Sequence, residues 1–294
     1  MLVSTSTRYL AKKYPLGEAV KKYIEAGYTA LDVSFTDTSL SLYGDNYREI
    51  TEEMLKIARD SGIVFNQAHA PFISNIEKYE NEIVPLFPRV FEIAAMLGIK
   101  NVVVHPTKGI RYYGNEELLF SKNVEFYNSL KPLAKKYGVK IALENMWQRH
   151  PITKAICDDI LAPPEELARL YDTLADPETF TVCLDIGHVA LCGREPEDAV
   201  RILGKRIGCL HVHDVDYADD LHTLPGAGKI NWDNVCRALA DVDYSGELTL
   251  EANNFHLGFL PEMESAVTKL MANTAKSLAQ RIEFYKTQKS NQES

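Results

Sequence analysis

The chain has 294 residues, of which 46% are hydrophobic and 25% charged, as is typical of an ordinary soluble globular protein. Its net charge of −9 argues against a broad nucleic-acid-binding surface, because such surfaces are usually basic. The five cysteines lack CxxC spacing, and no apolar run reaches a membrane-spanning length or resembles a signal peptide, so we expect a cytoplasmic protein with reduced thiols.

Strand-like and helical patterns alternate along nearly the whole chain. Runs of period two predict strands near 2–7, 28–35, 63–70, 101–105, 140–146, 180–186, 207–213 and 247–252. Patterns of period 3.6 predict helices near 15–26, 46–61, 77–98, 115–137, 164–175, 195–204, 231–240 and 261–286. Eight strands alternating with eight helices predict an α/β protein, a single parallel eight-stranded (β/α)8 TIM barrel. We assign this barrel to residues 1–288 and expect 289–294 to form a polar C-terminal tail.

Six of the predicted strands carry an ionisable side chain at or near their C-terminal ends. In chain order these residues are His69, His105, Glu144, Asp185, His211 and Glu251. Active sites of TIM barrels lie at the C-terminal ends of the strands, so we expect these side chains to converge. Burying so many ionisable groups is costly unless they are paired or bind a metal.

Four of these residues come from successive strands and predict a metal site. They are Glu144, Asp185, His211 and Glu251, and the strand alternation turns the three carboxylates to the inside of the sheet. Three carboxylates and one imidazole suit a hard or borderline divalent cation such as Mn, Mg, Co or Zn. A purely structural zinc site would favour cysteine and histidine.

Other histidines leave more than one interpretation open. His69 and His105 are candidates for substrate contacts, for ligands of a second metal, or for hydrogen-bonded structural residues. His188 has the wrong parity for the strand and should lie in the turn after it, where it would bind a substrate hydroxyl or a second metal. His213 shares the parity of His211, and either ring could bind metal while the other contacts substrate or a carboxylate.

The loops after the predicted strands add further candidates. Asp220 and His222 precede a Pro-Gly turn and are either additional metal ligands or parts of a plain turn. Trp147 is expected to pack against a sugar face or a lid, and Arg149 or Lys229 to receive a substrate phosphate. The remaining loop histidines, His150 and His256, are expected to be solvated.

Several motifs together resemble the xylose isomerase-like TIM barrels, a superfamily of sugar or sugar-phosphate isomerases and epimerases that also includes the endonuclease IV group. The motifs are LEN at 143–145, LDIGH at 184–188, HVHD at 211–214, HTLPGAGKINW at 222–232 and TLE at 249–251. The resemblance implies that Glu144, Asp185, His211 and Glu251 bind one metal and that the two glutamates also transfer protons through an enediolate. The implied partner is a small sugar or sugar phosphate, with no nucleic acid and no membrane.

The endonuclease IV group implies a different function, a phosphoesterase with three zinc ions. Its ligand set would map onto His69, His105, Glu144, Asp185, His188, His211, Asp220, His222 and Glu251. The acidic chain lacks the basic, intercalating loops that grip DNA, which disfavours this alternative. A non-catalytic sugar-binding barrel is a third hypothesis. A homo-oligomer is left open, because no heptad or apolar stripe marks an interface.

Overall fold

Strands and helices alternate along the chain in the computed structural model, which describes residues 1–73 and 76–293. The strands of this part of the chain are β1 (Val3–Thr5), β2 (Ala30–Ser34), β3 (Val64–His69), β4 (Asn101–Val104), β5 (Lys140–Glu144), β6 (Trp147–Arg149), β7 (Ile156–Asp158), β8 (Phe180–Asp185), β9 (Ile207–His211) and β10 (Leu248–Leu250). Eight of them coincide with the predicted strands. The short antiparallel hairpin β6–β7 was not predicted.

The helices also follow the predicted order. They are α1 (Arg8–Ala11), α2 (Leu16–Ala26), α3 (Tyr47–Ser61), α4 (Ile76–Lys78), α5 (Phe87–Met96), α6 (Glu116–Tyr137), α7 (Pro164–Leu174), α8 (Ile186–Leu191), α9 (Pro196–Leu203), α10 (Trp232–Asp241) and α11 (Glu264–Glu293). Short 3₁₀ helices cover Ser41–Tyr43, Val84–Leu86, Gly204–Arg206, Phe255–Gly258 and Pro261–Met263, and a π-helical turn covers Tyr79–Ile83. Helix α11 continues to Glu293, so the segment predicted as a polar tail is helical up to that residue.

One predicted helix, at 77–98, is broken into four pieces. After α4 the chain passes through a π turn and a 3₁₀ turn before α5 begins at Phe87. Pro85 lies in the 3₁₀ turn, where it has no amide hydrogen for an intrahelical bond and its ring crowds the preceding turn. The proline therefore explains why a continuous helical pattern in the sequence does not give a continuous α-helix.

The strands pair in parallel in the order expected of consecutive βα units. Strands β2, β3, β4, β5, β8 and β9 form one six-stranded parallel sheet, and β1 pairs in parallel with β10. Single parallel bridges, Ser6–Asp32 and Val212–Leu250, connect this pair to the two edges of the larger sheet. The carboxyl ends of the strands therefore face the same side of the molecule.

The inner surface of the sheet is filled by small side chains beneath the site. Val103, Ala142, Cys183 and Cys209 are buried and contact one another. All five cysteines are free, and burial raises the pKa of the Cys183 thiol well above its ordinary value. Cys183 and Cys209 thus pack below the polar residues. None of the described helices is both long enough and apolar enough to cross a bilayer.

Candidate active site

The four predicted metal ligands converge at the C-terminal ends of β5, β8, β9 and β10. One ligand atom from each of Glu144, Asp185, His211 and Glu251 lies within 4.8 Å of all the others, and every one of these side chains is buried. His211 Nδ1 is 2.9 Å from Glu144 Oε1, 3.5 Å from Glu251 Oε2 and 3.9 Å from Asp185 Oδ2. We call these four residues the central quartet.

A second group adjoins the quartet through Glu144. His105 Nε2 lies 2.9 Å from Glu144 Oε2, and His69 Nε2 lies 3.6 Å from the same oxygen. The two ring nitrogens are 3.1 Å apart. His69 and His105 therefore stand beside the quartet, where either a substrate or a second cation would contact them.

A third group comprises His188, His213, Asp220 and His222, which present ligand atoms within 4.8 Å of one another. Asp185 caps α8 by accepting a hydrogen bond from the His188 amide, 2.8 Å away, and this brings His188 to the mouth of the site, just past the strand as predicted. The rings of His213 and His222 stack with centroids 4.1 Å apart. A Cβ at Gly187 would collide with the His213 ring, so glycine is required for α8 to approach it.

Three of the histidines are oriented by main-chain carbonyls. Nδ1–H of His69 donates to Ala70 O, that of His188 to Asn145 O, and that of His222 to Glu251 O, over 2.8, 2.9 and 2.8 Å. A carbonyl can only accept, so each ring carries a proton on Nδ1 and directs Nε2 toward a carboxylate of the site, Glu144 for His69 and Asp220 for His188 and His222. Metal-binding histidines are typically held in this way.

The electrostatics of the quartet are strongly coupled. Burial by itself would raise the pKa of the Glu144 carboxyl, but His211 and His105 hold that pKa well below its usual range. Burial opposes protonation of His211, yet Glu251 and Glu144 raise its pKa well above the ordinary value. Burial likewise disfavours charge on His222, while Asp220 and Glu251 raise its pKa to about 10. The carboxylates of the cluster thus favour protonated, positively charged histidines. A divalent cation would supply this positive charge in place of the protons.

The donor set fits a divalent cation. Asp220 Oδ1 is a buried atom without a hydrogen-bond partner among the described residues. Glu144 Oε2 also lacks an aligned hydrogen bond, although His105 Nε2 is near. Unsatisfied buried oxygens are unfavourable, and coordination to a metal satisfies them. Three carboxylates with one imidazole match the oxygen-rich ligation of Mn, Mg, Co or Zn.

A cavity of about 420 Å³ opens above these residues. Its walls combine the ionisable groups with the apolar side chains of Phe72, Met146 and Trp147. Arg149 and Trp147 both line the cavity from the β6–β7 hairpin, and Arg149 forms a 2.6 Å ion pair with Asp219. A space of this size with apolar walls and convergent polar groups suits a small polar ligand.

Two sequence expectations outside this cavity differ from the structure. Lys229 does not line the cavity; its ammonium donates to Asp216 O over 3.3 Å on the protein surface. His256 is buried rather than solvated, because its ring stacks on Tyr9 with centroids 3.9 Å apart and bonds to Thr268. The Tyr9–His256 contact joins segments distant in sequence, so local patterns do not reveal it.

Sequence reasoning missed two buried residues that support the quartet. Asp32, on β2, places Oδ2 3.8 Å from His211 Nε2. Asn145 clamps Asp185 by accepting from its amide over 2.8 Å and donating to its carbonyl over 2.9 Å. The signal available for Asp32 was an acidic residue inside the apolar run ALDVSF, and for Asn145 its place directly after Glu144.

Several known proteins resemble this chain over more than half of its length. A protein of Methanocaldococcus jannaschii with no assigned function is 30% identical over 195 residues, 63% of this chain. The matched segment spans 64% of that protein's length and 56% of a second such relative's, from Sinorhizobium fredii. An inosose isomerase of Bacillus subtilis is 28% identical over 211 residues, 70% of each chain, and a probable endonuclease 4 of Staphylococcus aureus is 26% identical over 260 residues, 79% of this chain and 81% of its own.

Solved structures share the fold over nearly the whole chain. A D-tagatose 3-epimerase-like protein superposes with a TM-score of 0.75 at 21% identity, covering 98% of this chain and 99% of its own. The IOLI protein with a bound zinc atom has a TM-score of 0.71 at 21% identity, covering 97% and 99%. The model of the xylose isomerase-like TIM barrel family matches residues 20–287. The chain belongs to this family.

Proposed function

We propose that this protein is a divalent-metal-dependent sugar or sugar-phosphate isomerase or epimerase that works by proton transfer. The observation that carries the proposal is the convergence of Glu144, Asp185, His211 and Glu251 within 4.8 Å at the floor of a cavity. Its relatives include an inosose isomerase, and the folds of sugar epimerases superpose on it. The bridges Ser6–Asp32 and Val212–Leu250 support a closed eight-stranded (β/α)8 barrel as the scaffold.

In the proposed mechanism the two glutamates move the proton. Bound to the quartet, a divalent cation would polarise the carbonyl of the substrate and favour loss of the neighbouring carbon-bound proton. The pKa of Glu251 is lowered, against the effect of its burial, by His211, His222 and His69, so Glu251 is a carboxylate able to accept that proton. Glu144 is likewise a carboxylate, and we assign the two residues to the two faces of the substrate. Return of a proton to the opposite face of the same carbon gives epimerisation, and return to the adjacent carbon gives isomerisation.

The remaining residues of the cavity would bind the substrate. His188 and His69 are candidate hydrogen-bond partners of sugar hydroxyls, and Trp147 offers an apolar surface to a sugar face. His213, also a candidate substrate contact from the sequence, is fully buried 3.0 Å from Asp185 and does not line the cavity. Arg149 stays a candidate substrate contact, although its ion pair with Asp219 reduces its availability.

Solvent deuterium incorporation tests the proposal. The metal-loaded protein is incubated in heavy water with a panel of ketoses, aldoses and their phosphates, and deuterium at carbon is measured by mass spectrometry together with product formation. We expect incorporation that stops when a chelator removes the metal. Absence of both deuterium exchange and new products across the panel would contradict the proposal.

A multi-zinc phosphoesterase is the second candidate, because the groups around Glu144 and Asp220 present further ligand atoms beside the quartet. A relative bears the name probable endonuclease 4. This function predicts about three zinc ions per chain and hydrolysis of a phosphodiester, whereas the isomerase requires one cation. A non-catalytic sugar-binding barrel predicts ligand binding without exchange or hydrolysis.

A further inference from the structure

A second cavity of about 260 Å³ lies beside the candidate active site. Arg8 lines both cavities and therefore stands at their junction. The other lining residues of the second cavity are Tyr9, Lys12, Lys13, Asn253, Asn254 and Leu257. Three cations line this space and no acidic side chain does, in a chain whose net charge is −9. The second cavity is thus a local concentration of positive charge.

Two of these cations have no carboxylate among the described residues within ion-pair distance. Hydrogen bonds from Ser39 lower the pKa of the Asp37 carboxyl, and both cations lie near enough to lower it further. Arg8 and Lys12 form no ion pair within 4.0 Å in the described part of the chain, whereas Lys13 is held 2.9 Å from Glu264. Asn253 contributes an amide nitrogen that is buried and has no hydrogen-bond partner among the described residues. These unpaired donors belong to residues that line the space, and an acceptor with negative charge would satisfy the two cations.

The other cations of the active-site cavity are already neutralised. Lys108 pairs with Asp159, and Arg149 pairs with Asp219 over 2.6 Å. Arg8 is therefore the cation of that cavity, among the described residues, that remains available to a ligand. Guanidinium groups bind the oxygens of phosphate and carboxylate through two parallel hydrogen bonds.

We propose that the second cavity binds a phosphate or carboxylate group of the substrate, with Arg8 and Lys12 as its charged contacts. This inference rests on the proposed isomerase function for the identity of the substrate, a sugar bearing an anionic group at the end remote from the reacting carbons. The anion site itself does not depend on that function, because it is formed by residues outside the quartet.

Binding of inorganic phosphate to metal-free protein tests the site without any catalysis. Isothermal titration calorimetry is performed in a chelator, so that phosphate cannot bind a metal. We expect Arg8→Met and Lys12→Met each to weaken binding by about tenfold or more. Arg59→Met, which removes an exposed positive charge from α3, is the matched control and should leave the affinity unchanged. No binding by the parent protein, or equal affinities in all four proteins, would overturn the proposal.

Kinetics then connect the site to the substrate. The value of kcat/KM is measured for a neutral ketose, for the ketose bearing a terminal phosphate and for the ketose bearing a terminal carboxylate. The value for each anionic form is divided by the value for the neutral ketose, and the two ratios are compared. The parent protein should prefer one anionic form, which identifies the group, and Arg8→Met should reduce that preference about tenfold or more, through KM. A preference for the neutral ketose would overturn the inference while leaving the isomerase proposal intact. If no sugar is turned over but phosphate binding depends on Arg8, the proposed function fails and the anion site stands.

Discussion

At the scale of single residues, Glu144 and Glu251 have two expected duties, to hold a cation and to transfer a proton. Replacing either by glutamine preserves size but removes the basic oxygen that accepts the proton. We expect Glu144→Gln and Glu251→Gln each to lower the exchange rate by about 10³-fold at saturating metal, as is typical for loss of a general base.

The assay is deuterium incorporation at a metal concentration that saturates each variant, with metal content determined in parallel. Glu165→Gln, on the first turn of α7, changes the same chemical group outside the cavity and serves as the control. Exchange within tenfold of the parent rate in a glutamine variant would contradict the assigned role.

Asp32 is expected to orient His211 toward the metal. Its carboxylate lies 3.8 Å from His211 Nε2, and both groups are buried. With Nδ1 directed at the quartet, Nε2–H faces Asp32, an arrangement that favours the ligating ring orientation and raises the basicity of the ligand. Asp32→Asn should weaken metal binding about 10- to 100-fold.

Competition with a calibrated chelator measures this affinity directly, and Asp45→Asn, at an exposed position after β2, provides the control. Equal affinity of Asp32→Asn and the parent protein would show that Asp32 has no influence on the ligand.

At the scale of elements, the loop from β9 to α10 is held by Asp214. Its buried carboxylate accepts hydrogen bonds from the amides of Val215, Gly226 and Ile230 and from Trp232 Nε1, over 2.8 to 3.1 Å. This loop carries Asp220 and His222 to the site. Asp214→Asn removes the negative charge and places an amide NH2 group opposite N–H donors. We therefore expect a loss of about 3 kcal/mol in the free energy of unfolding.

Urea unfolding measures this loss. Asp216→Asn is the control, because the hydrogen bonds that its carboxylate accepts from the described residues come from exposed amides within the same loop. A difference below about 0.5 kcal/mol between the two variants would be incompatible with a structural role for Asp214.

His256 links three elements and makes stability depend on pH. It stacks on Tyr9 of α1, and its Nε2–H donates to Thr268 of α11, whose own hydroxyl donates to Glu264 O. Burial lowers the pKa of His256 to about 4, whereas the unfolded chain should titrate near 6.5. Between these values the unfolded chain binds more protons than the folded protein, so stability falls as the pH falls.

The contribution of His256 to the pH dependence of stability is the difference in unfolding free energy between the parent protein and His256→Phe, a variant that retains the stacking. From pH 7 to pH 5 the parent should lose about 2 kcal/mol more of its unfolding free energy than the variant. His150→Phe, in the turn between β6 and β7, should behave like the parent. Parallel pH profiles for the parent and His256→Phe would show that this histidine does not titrate as described.

At the scale of the whole molecule, most of what could be predicted about the site from the sequence follows from strand parity, the alternation of side chains between the two faces of a strand. Alternation predicted that Glu144, Asp185 and Glu251 point inward, and the parallel βα order placed their strand ends together. Contacts between distant segments were not predictable in this way: the partners of Arg149, the burial of His256 and the unpaired state of Arg8 depend on how loops pack. The three-residue strands of the β6–β7 hairpin are too short to show a period.

The proposed function depends above all on a single cation held by the central quartet. The most direct measurement is the divalent metal content per chain after equilibrium dialysis against Mn²⁺ or Zn²⁺, for the parent protein, Asp185→Asn and the control Asp176→Asn, whose residue follows α7 and pairs with Lys135. We predict about one tightly bound ion in the parent and in Asp176→Asn, and at least a 100-fold weaker affinity in Asp185→Asn. A parent protein that retains no metal, or an Asp185→Asn variant that retains it equally well, would contradict the account.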